Sequence, residues 1–283
     1  MPCTYAHYKF GRELQKIYPE PLARIVRAHS CLFNIGVHGP DILFYYKALK
    51  NNAVNGTGFA MHREPGAVFL ARAKEVYNLD KNEESLAYLL GFVSHFVLDS
   101  TCHGYIENKI RISHVTHAEI ESEFDRYLLL KDGVEPLHAR LTDHISPTLK
   151  NAEVIAPFYE GLTVSEIQKS MRSMIFYNNM LRAPRFCKRF LVNTAMRLSG
   201  NYAEMHGMMF AKKTISACED SNLRLEKLFQ RALTRCLFLT ENFIGYLNDE
   251  CPLHSDFSAT FGPAEGWEKI PVLSKEEEIN YEG

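Results

Sequence analysis

The chain has 283 residues, of which 46 % are hydrophobic, and its formal net charge is −2 at pH 7. This length and apolar content allow either one large domain or two moderate ones with a substantial core. A charge so close to zero gives no overall electrostatic attraction for nucleic acid or for an anionic membrane. No apolar run approaches the roughly 20 residues of a transmembrane helix, so we expect no membrane span.

The cysteine pattern and the start of the chain bear on the compartment. The first residues, MPCTYAHYKFGRELQ, lack the apolar core of a signal peptide, so we expect the protein not to be exported. Seven cysteines are scattered along the sequence, and no two of them form a CxxC pair. An odd, scattered set indicates reduced thiols rather than a disulfide framework, which predicts a cytoplasmic location.

Helical periodicity dominates the sequence, and no stretch shows the alternation of a β-strand. The predicted helices cover residues 11–29, 61–77, 86–106, 114–130, 163–182, 186–198 and 214–248. Residues 47–58 are polar and rich in Asn and Gly, which predicts a loop. Gly39 and Pro40 predict a tight turn that presents Asp41 just before an apolar run.

The last thirty residues lose this periodicity. We therefore expect one all-α metal-binding domain over residues 1–251 and an irregular arm over 252–283. The acidic end of the arm, residues 275–283, is expected to be mobile because nothing in its composition favours burial.

The helix predicted at 86–106 combines an apolar stripe with three potential metal ligands. His95, Asp99 and His103 are four residues apart, so successive members lie on one face about one turn apart. Burying two imidazoles and a carboxylate in an apolar helix is costly unless a partner satisfies them. A metal ion would do so, although a hydrogen-bonded His–Asp pair in the core is the alternative.

A second His–carboxylate pair follows in the next predicted helix, where His117 and Glu121 are also four residues apart. Two consecutive helices that each offer an imidazole and a carboxylate favour a nitrogen–oxygen metal site. Cys102, beside His103, points to another helix face and is expected to be a packing residue. Glu64 and Glu119 are either groups that orient ligand imidazoles or solvated helix charges. The complete set of candidate ligands is His7, Asp41, His62, His95, Asp99, His103, His117 and Glu121.

Five motifs in one register give these residues a family context. They are TYAHYKFG, HGPDILFYY, MHREP, SHFVLDSTCHG and HAEIE, and together they span residues 4–121. In these motifs the chain resembles the zinc-dependent phospholipase C family, whose fold is shared with the fungal single-strand-specific zinc nucleases. The resemblance implies a single multi-helical all-α domain of that type, with two to three zinc ions.

The resemblance also implies how the ligands divide among the zinc ions. One zinc would be held by Asp41, His62, His95 and Asp99. A second would be held by His103, His117 and Glu121. A third zinc would share Asp99 with the first and would also bind His7. Its remaining ligand would come from the start of the chain, either from the Pro2 nitrogen after loss of Met1 or from Cys3.

The function implied is hydrolysis of phosphate esters by a phospholipase C-like enzyme. Hydroxide on the zinc pair would attack phosphorus, and Asp41 would orient or deprotonate the attacking water. The substrate would be a small-molecule or lipid-headgroup phosphate ester. Glu121 in the last motif, rather than aspartate, favours the phospholipase branch. A nuclease of the same fold, which would bind nucleic acid, and a non-catalytic protein with structural zinc are the alternatives.

Overall fold

The computed structural model describes residues 4–200 and 202–281. Over these residues the chain forms thirteen α-helices and seven short 3₁₀ helices, with no strand, which confirms the all-α class. The α-helices are α1 (Thr4–Ile17), α2 (Glu20–Ala28), α3 (Ser30–Gly36), α4 (Ala53–Arg63), α5 (Gly66–Tyr77), α6 (Glu83–Ser113), α7 (His117–Lys131), α8 (Leu149–Ile155), α9 (Val164–Leu181), α10 (Phe186–Leu198), α11 (Tyr202–Met205), α12 (Glu219–Leu247) and α13 (Lys275–Asn280).

Helix α6 is the centre of the fold. It is 31 residues long and apolar on all sides, and most of its side chains are buried. Such a helix is stable only when other elements surround it. Helices α3 and α12 make its main contacts, and α1, α2, α5, α7 and α8 also pack against it. Every ligand candidate on α6 is therefore held inside a rigid helical core.

By length and composition alone, α6 could also cross a membrane, contrary to the sequence expectation. The mean hydropathy of its most apolar window is 1.2, and 89 % of that window is buried inside the protein. The core helix of a globular protein gives the same signal. This single helix is therefore weak evidence for a span, and the described residues contain no clear one.

The crossing of α3 and α6 depends on two glycines. A Cβ atom placed on Gly36 would lie 2.2 Å from the carbonyl oxygen of Tyr88, and one on Gly91 would lie 2.4 Å from that of Phe33. Both distances are far inside van der Waals contact, and the groups met are backbone atoms that cannot rotate away. The two helices can approach this closely only because both positions lack side chains.

We expect the Gly91→Ala substitution to lower the free energy of unfolding by about 1–3 kcal/mol, because α3 must move away from α6. Gly56→Ala is the matched control, since a Cβ on Gly56 in α4 meets nothing within 4 Å. The control should raise the free energy of unfolding by about 0.5–1 kcal/mol through helix propensity. Urea denaturation of both variants measures the difference. Equal stability of the two variants would contradict the close crossing.

Helix α4, which begins at Ala53, replaces the second half of the loop predicted at residues 47–58. Its start is fixed by a capping box, in which the Asn52 side chain accepts from the backbone N–H of Asn55 while the Asn55 side chain accepts from that of Asn52. Asparagine, taken from composition as a loop signal, here begins a helix. His62 consequently lies in the last turn of α4, and the next helix begins after Pro65.

The arm after residue 251 is largely irregular but lies against the helical body. It contains 3₁₀ helices at Ser255–Ser258 and Trp267–Lys269, and the rings of Phe257 and Phe261 are fully buried. The expectation of a mobile acidic end is wrong for its described part, because residues 275–280 form α13. Glu278 of α13 is buried against Arg224 of α12, with 2.7 Å between Oε1 and Nη2. Sequence composition alone did not reveal this ion pair between Glu278 and Arg224.

Candidate metal centre

All eight ligand candidates lie close together around the middle of α6. Asp41 lies in the 3₁₀ helix Gly39–Tyr45 and His62 in the last turn of α4, while the remaining six are supplied by α1, α6 and α7. They form three groups whose potential ligand atoms lie within 4.8 Å of one another. The groups are His7, His95 and Asp99; Asp41, His62 and His95; and His103, His117 and Glu121.

Asp99 lies at the middle of this arrangement. Its Oδ1 is 3.0 Å from Nε2 of His7, and its Oδ2 is 3.3 Å from Nε2 of His95. His62 and His103 also approach Oδ2, at 4.0 and 3.9 Å. The same carboxylate thus faces a histidine of α1 with one oxygen and histidines of α4 and α6 with the other.

Asp41 joins the second group from the opposite side. Its Oδ1 lies 2.9 Å from Nε2 of His62 and 3.9 Å from Nε2 of His95. Asp41 is held there by the turn that precedes it, where Gly39 has a φ of +48°. A Cβ on Gly39 would lie 2.3 Å from Cδ2 of His95. Glycine is therefore required at this position both by the backbone conformation and by the neighbouring ring.

The third group connects α6 to the first turns of α7. Glu121 Oε1 is 3.1 Å from Nε2 of His117 and 3.7 Å from Nε2 of His103. Helix α7 begins at His117 because Thr116 and Glu119 form a capping box. The capping box therefore fixes where the ring of His117 lies relative to α6.

Backbone carbonyls determine the tautomers of two rings. Nδ1 of His62 lies 2.8 Å from the carbonyl of Gly58, and Nδ1 of His103 lies 2.6 Å from that of Phe261. A carbonyl can only accept, so each Nδ1 carries the proton and the Nε2 of the neutral ring presents a lone pair. Both lone pairs face carboxylate oxygens. Two acceptors face to face repel each other unless a cation lies between them, and this orientation is typical of metal-ligating histidines.

The buried polar atoms at the centre also fit a metal. In the described part of the chain, five of them have no hydrogen-bond partner, namely His7 Nδ1, Asp41 Oδ1, His95 Nδ1, His95 Nε2 and His117 Nε2. Buried polar groups are normally satisfied, so such a concentration needs an explanation. Imidazole nitrogens and carboxylate oxygens without thiolate are a donor set that suits zinc with open positions. The residues present therefore fit the zinc ions that the sequence motifs imply.

The protonation states of Asp41 and His95 agree with this interpretation, whereas Asp99 raises the pKa of the His7 ring in spite of its burial. Burial alone would raise the pKa of Asp41, but the neighbouring rings of His62 and His95 lower it to about 2. Burial lowers the pKa of His95 to about 4, against the opposing effect of Asp99. At neutral pH the carboxylate is thus ionised and the imidazole is neutral, as ligation requires.

His117 differs, because Glu121 and Glu107 raise its pKa to about 9 in spite of its burial. A metal ion that binds the ring of His117 at neutral pH must therefore displace a proton from that ring. Glu107 Oε1 lies 3.4 Å from Nδ1 of His117, the nitrogen opposite Glu121. This carboxylate–histidine arrangement is typical of groups that orient a metal ligand.

A family model for zinc dependent phospholipase C matches residues 6–167. The chain belongs to the zinc-dependent phospholipase C family. A search of the curated proteins and a search of the solved structures each found no match to this chain. The stretch that matches the phospholipase C family contains all eight ligand candidates, from His7 to Glu121.

The structure favours the second of the two alternatives that the sequence left open for Glu64 and Glu119. Glu119 is engaged in the α7 capping box and Glu64 is exposed, so neither orients a candidate ligand. Glu107 is the carboxylate that lies beside a candidate ligand, His117. Its spacing was a usable sequence signal, because residue 107 continues the four-residue series of 95, 99 and 103. The carbonyl of Phe261 had no sequence signal, since it is a backbone group 158 residues from His103.

Other residues considered from sequence lie near the centre without joining it. Cys102 is buried, and burial raises the pKa of its thiol, so it remains a packing residue at neutral pH. His144 stacks on Tyr8 and places its Nε2 2.7 Å from Nε2 of His38. Pro2 and Cys3, considered for the third zinc, lie outside the described residues.

Glu107→Gln is expected to lower zinc affinity at the His117 group about 10- to 100-fold, the usual effect of losing a carboxylate that orients a ligand histidine. Competition with a chromogenic zinc chelator measures the change. Glu119→Gln is the control, because glutamine also serves in a capping box and the affinity should stay unchanged. A loss of affinity in the control with none in Glu107→Gln would show that the carboxylate assignment is reversed.

Proposed function

We propose that this chain is a zinc-dependent hydrolase of phosphate esters with phospholipase C-like activity. The observation that carries the proposal is the position of Asp99, whose two oxygens face His7 and His95 at 3.0 and 3.3 Å. A carboxylate placed in this way suits an ion on each side, as in two-metal phosphoesterases. Membership of the zinc-dependent phospholipase C family supports the same reaction class.

The proposed zinc shell consists of the eight candidates and holds two to three ions. Zinc bound there supplies Lewis acidity, which lowers the pKa of bound water toward about 7 and stabilises negative charge on phosphoryl oxygens. The first two observed groups overlap at His95, and Asp99 would be shared between the ions nearest His7 and His95, because its two oxygens face these two rings. The third group, around Glu121, holds an ion of its own.

Asp41 is the proposed catalytic residue in addition to its ligand role. It is buried and ionised at neutral pH, with a pKa of about 2. An ionised carboxylate in a fixed position can accept a hydrogen bond from the attacking water and orient its lone pair toward phosphorus. Because its pKa is low, Asp41 serves mainly to hold and orient the water.

The partly exposed rings indicate the side from which a substrate approaches. The side chains of His62 and His117 are 20 % and 32 % exposed, while the other candidates are largely buried. Phe44 lies 4.9 Å from the His62 ring and stacks on Phe59, which is exposed. An aromatic edge beside the open side fits a small-molecule or lipid-headgroup phosphate ester with an apolar part.

Metal content and hydrolysis together test this proposal. Elemental mass spectrometry on protein purified without a metal-affinity step should find two to three zinc per chain. The protein should hydrolyse a chromogenic phosphodiester such as bis(4-nitrophenyl) phosphate. Incubation with 1,10-phenanthroline should abolish the activity, and added Zn²⁺, but not Mg²⁺, should restore it.

Two results would contradict the proposal. Zinc bound in full without turnover of phosphodiesters, lipid-headgroup esters or phosphomonoesters would favour a structural role for the metal. Preferential hydrolysis of single-stranded DNA over these esters would favour the nuclease activity found on the same fold.

A further inference from the structure

An exposed apolar surface lies on α9, α10 and the loop after Tyr46. Six large apolar side chains there are between 54 % and 85 % exposed, namely Leu49, Phe176, Phe186, Phe190, Leu191 and Leu198. We call this set the α9–α10 surface. Leu49, Phe176 and Leu191 line one groove, and the rings of Phe186 and Phe190 stack on each other. Large exposed apolar patches mark sites of interaction.

The sequence segment that forms most of this surface carries charges of one sign. Between residues 167 and 203 the chain has no Asp or Glu, and it has seven cations, namely Lys169, Arg172, Arg182, Arg185, Lys188, Arg189 and Arg197. Lys47 and Lys50 flank Leu49 in the adjoining loop. The nearly zero net charge of the whole chain thus conceals a strongly basic local segment.

These cations form no close ion pair within the described residues, although Glu166 lies near enough to Lys169 and Lys47 to attract them. In residues 4–200 and 202–281, no ion pair joins any of the nine to a carboxylate. Lys188 and Arg189 donate to backbone carbonyls, and Arg197 lies over the ring of Tyr202. Glu166, just before the acid-free segment, is engaged by Thr163 at the start of α9. The basic segment is left to attract an external anion.

A groove runs through the α9–α10 surface. It has a volume of about 360 Å³ and is lined almost entirely by apolar side chains, among them Leu49, Phe176, Met180, Leu191 and Met196. Leu49 follows the segment that carries Asp41, and Asn178 of α9 donates to the Tyr45 hydroxyl in that same segment. The groove is therefore built onto the element that presents Asp41.

We propose that the α9–α10 surface docks onto an anionic phospholipid bilayer. Exposed Phe and Leu side chains on a helix ringed by Lys and Arg are typical of helices that lie in the membrane interface. Each basic residue near an anionic surface adds to the attraction. The unpaired cations supply charge complementarity, and the groove offers an apolar site for an acyl chain or headgroup edge.

A second copy of the chain is the less favoured occupant. In a two-fold dimer formed through this surface, each copy would present its cations to the same cations of its partner. The resulting repulsion opposes association. Nucleic acid is also less favoured, because half of the exposed set, Leu49, Leu191 and Leu198, is aliphatic and offers no stacking platform for bases, which leaves only the three phenylalanines to stack.

Vesicle flotation with the full, zinc-loaded chain tests the docking. The protein should bind phosphatidylcholine vesicles that contain about one third phosphatidylglycerol and should not bind phosphatidylcholine alone. Binding should weaken as salt rises. The triple variant Phe186→Ser/Phe190→Ser/Leu191→Ser and the charge variant Arg185→Glu/Arg197→Glu should each bind the anionic vesicles about tenfold more weakly or less.

The control variant is Leu79→Ser, because Leu79 is 86 % exposed and lies outside this surface. Its vesicle binding should equal that of the unmodified chain, and all variants should keep the same melting temperature because the replaced side chains are exposed. Docking does not depend on the proposed hydrolysis. Turnover of a soluble phosphodiester should therefore be unchanged in every variant, and failure of one proposal can be told from failure of the other.

Several outcomes would overturn the docking proposal. They are equal binding to zwitterionic and anionic vesicles, undiminished binding by both surface variants, and absence of vesicle binding. Light scattering that finds a dimer which the triple variant abolishes would identify a second copy as the occupant. Tight binding of an oligonucleotide that displaces the vesicles would identify nucleic acid.

Discussion

The Asp99→Asn variant is expected to lose about 10³-fold in phosphodiester turnover and to hold fewer zinc ions than the unmodified chain. Asp99 faces His7 with one oxygen and His95 with the other, so its charge serves both neighbouring groups. The amide keeps the shape of the side chain but removes that charge. A loss of several kcal/mol of electrostatic stabilisation in the transition state corresponds to a factor of this size.

Elemental analysis and turnover measurements on the same preparation check this result. The control is Glu123→Gln, since Glu123 is a carboxylate buried in α7 that pairs with Arg126 and belongs to none of the three groups. It should retain its zinc and its turnover. Full zinc content and normal turnover in Asp99→Asn would show that the central carboxylate is not shared between ions.

The Glu278→Ala variant should lower the free energy of unfolding by about 3–5 kcal/mol, because it leaves Arg224 buried without its carboxylate. Arg224 donates from Nε to Glu278 Oε2 at 3.0 Å, and its guanidinium lies 4.1 Å from the centre of the Tyr281 ring. Both charged side chains are almost entirely buried. Removing one partner of such a pair costs far more than the pair contributes net.

Guanidinium denaturation measures this loss, and two further variants define its cause. Arg224→Met/Glu278→Leu should recover most of the stability, because no uncompensated charge remains in the interior. Lys275→Ala removes an exposed pair with Glu219 and should leave the free energy of unfolding almost unchanged. If Glu278→Ala cost as little as Lys275→Ala, the burial of α13 against α12 would be wrong.

The sequence was informative where ligands share a helix. His95, Asp99 and His103 were placed on one face from their spacing alone, and the structure brings all three into the centre. The pairing of His117 with Glu121 followed from the same rule. His7, Asp41 and His62 were harder, because they lie on separate elements, and only the ordered motifs of the family connected them to the others.

The errors have two causes, since some local signals were overlooked and single-sequence patterns do not reveal long-range partners. Composition predicted a loop over residues 47–58, whereas reciprocal hydrogen bonds between Asn52 and Asn55 start a helix there. Composition likewise predicted that the acidic end, residues 275–283, is mobile. In the structure Arg224, which is distant in sequence, pairs with Glu278 in the interior. Glu107 was overlooked although it continued the four-residue series that had identified the ligand helix.

The hydrogen bond from His103 to the carbonyl of Phe261 affects the order in which the protein matures during synthesis. A nascent chain displays its ligand helices early, since all eight candidates are complete by residue 121. The carbonyl that fixes the ring of His103 is made only when residue 261 is added, and chains fold from the N-terminal side as they emerge. The His103 group is therefore oriented for metal only near the end of translation. Ribosome-bound chains that end before residue 261 contain all eight candidate ligands but lack the hydrogen bond that orients the ring of His103.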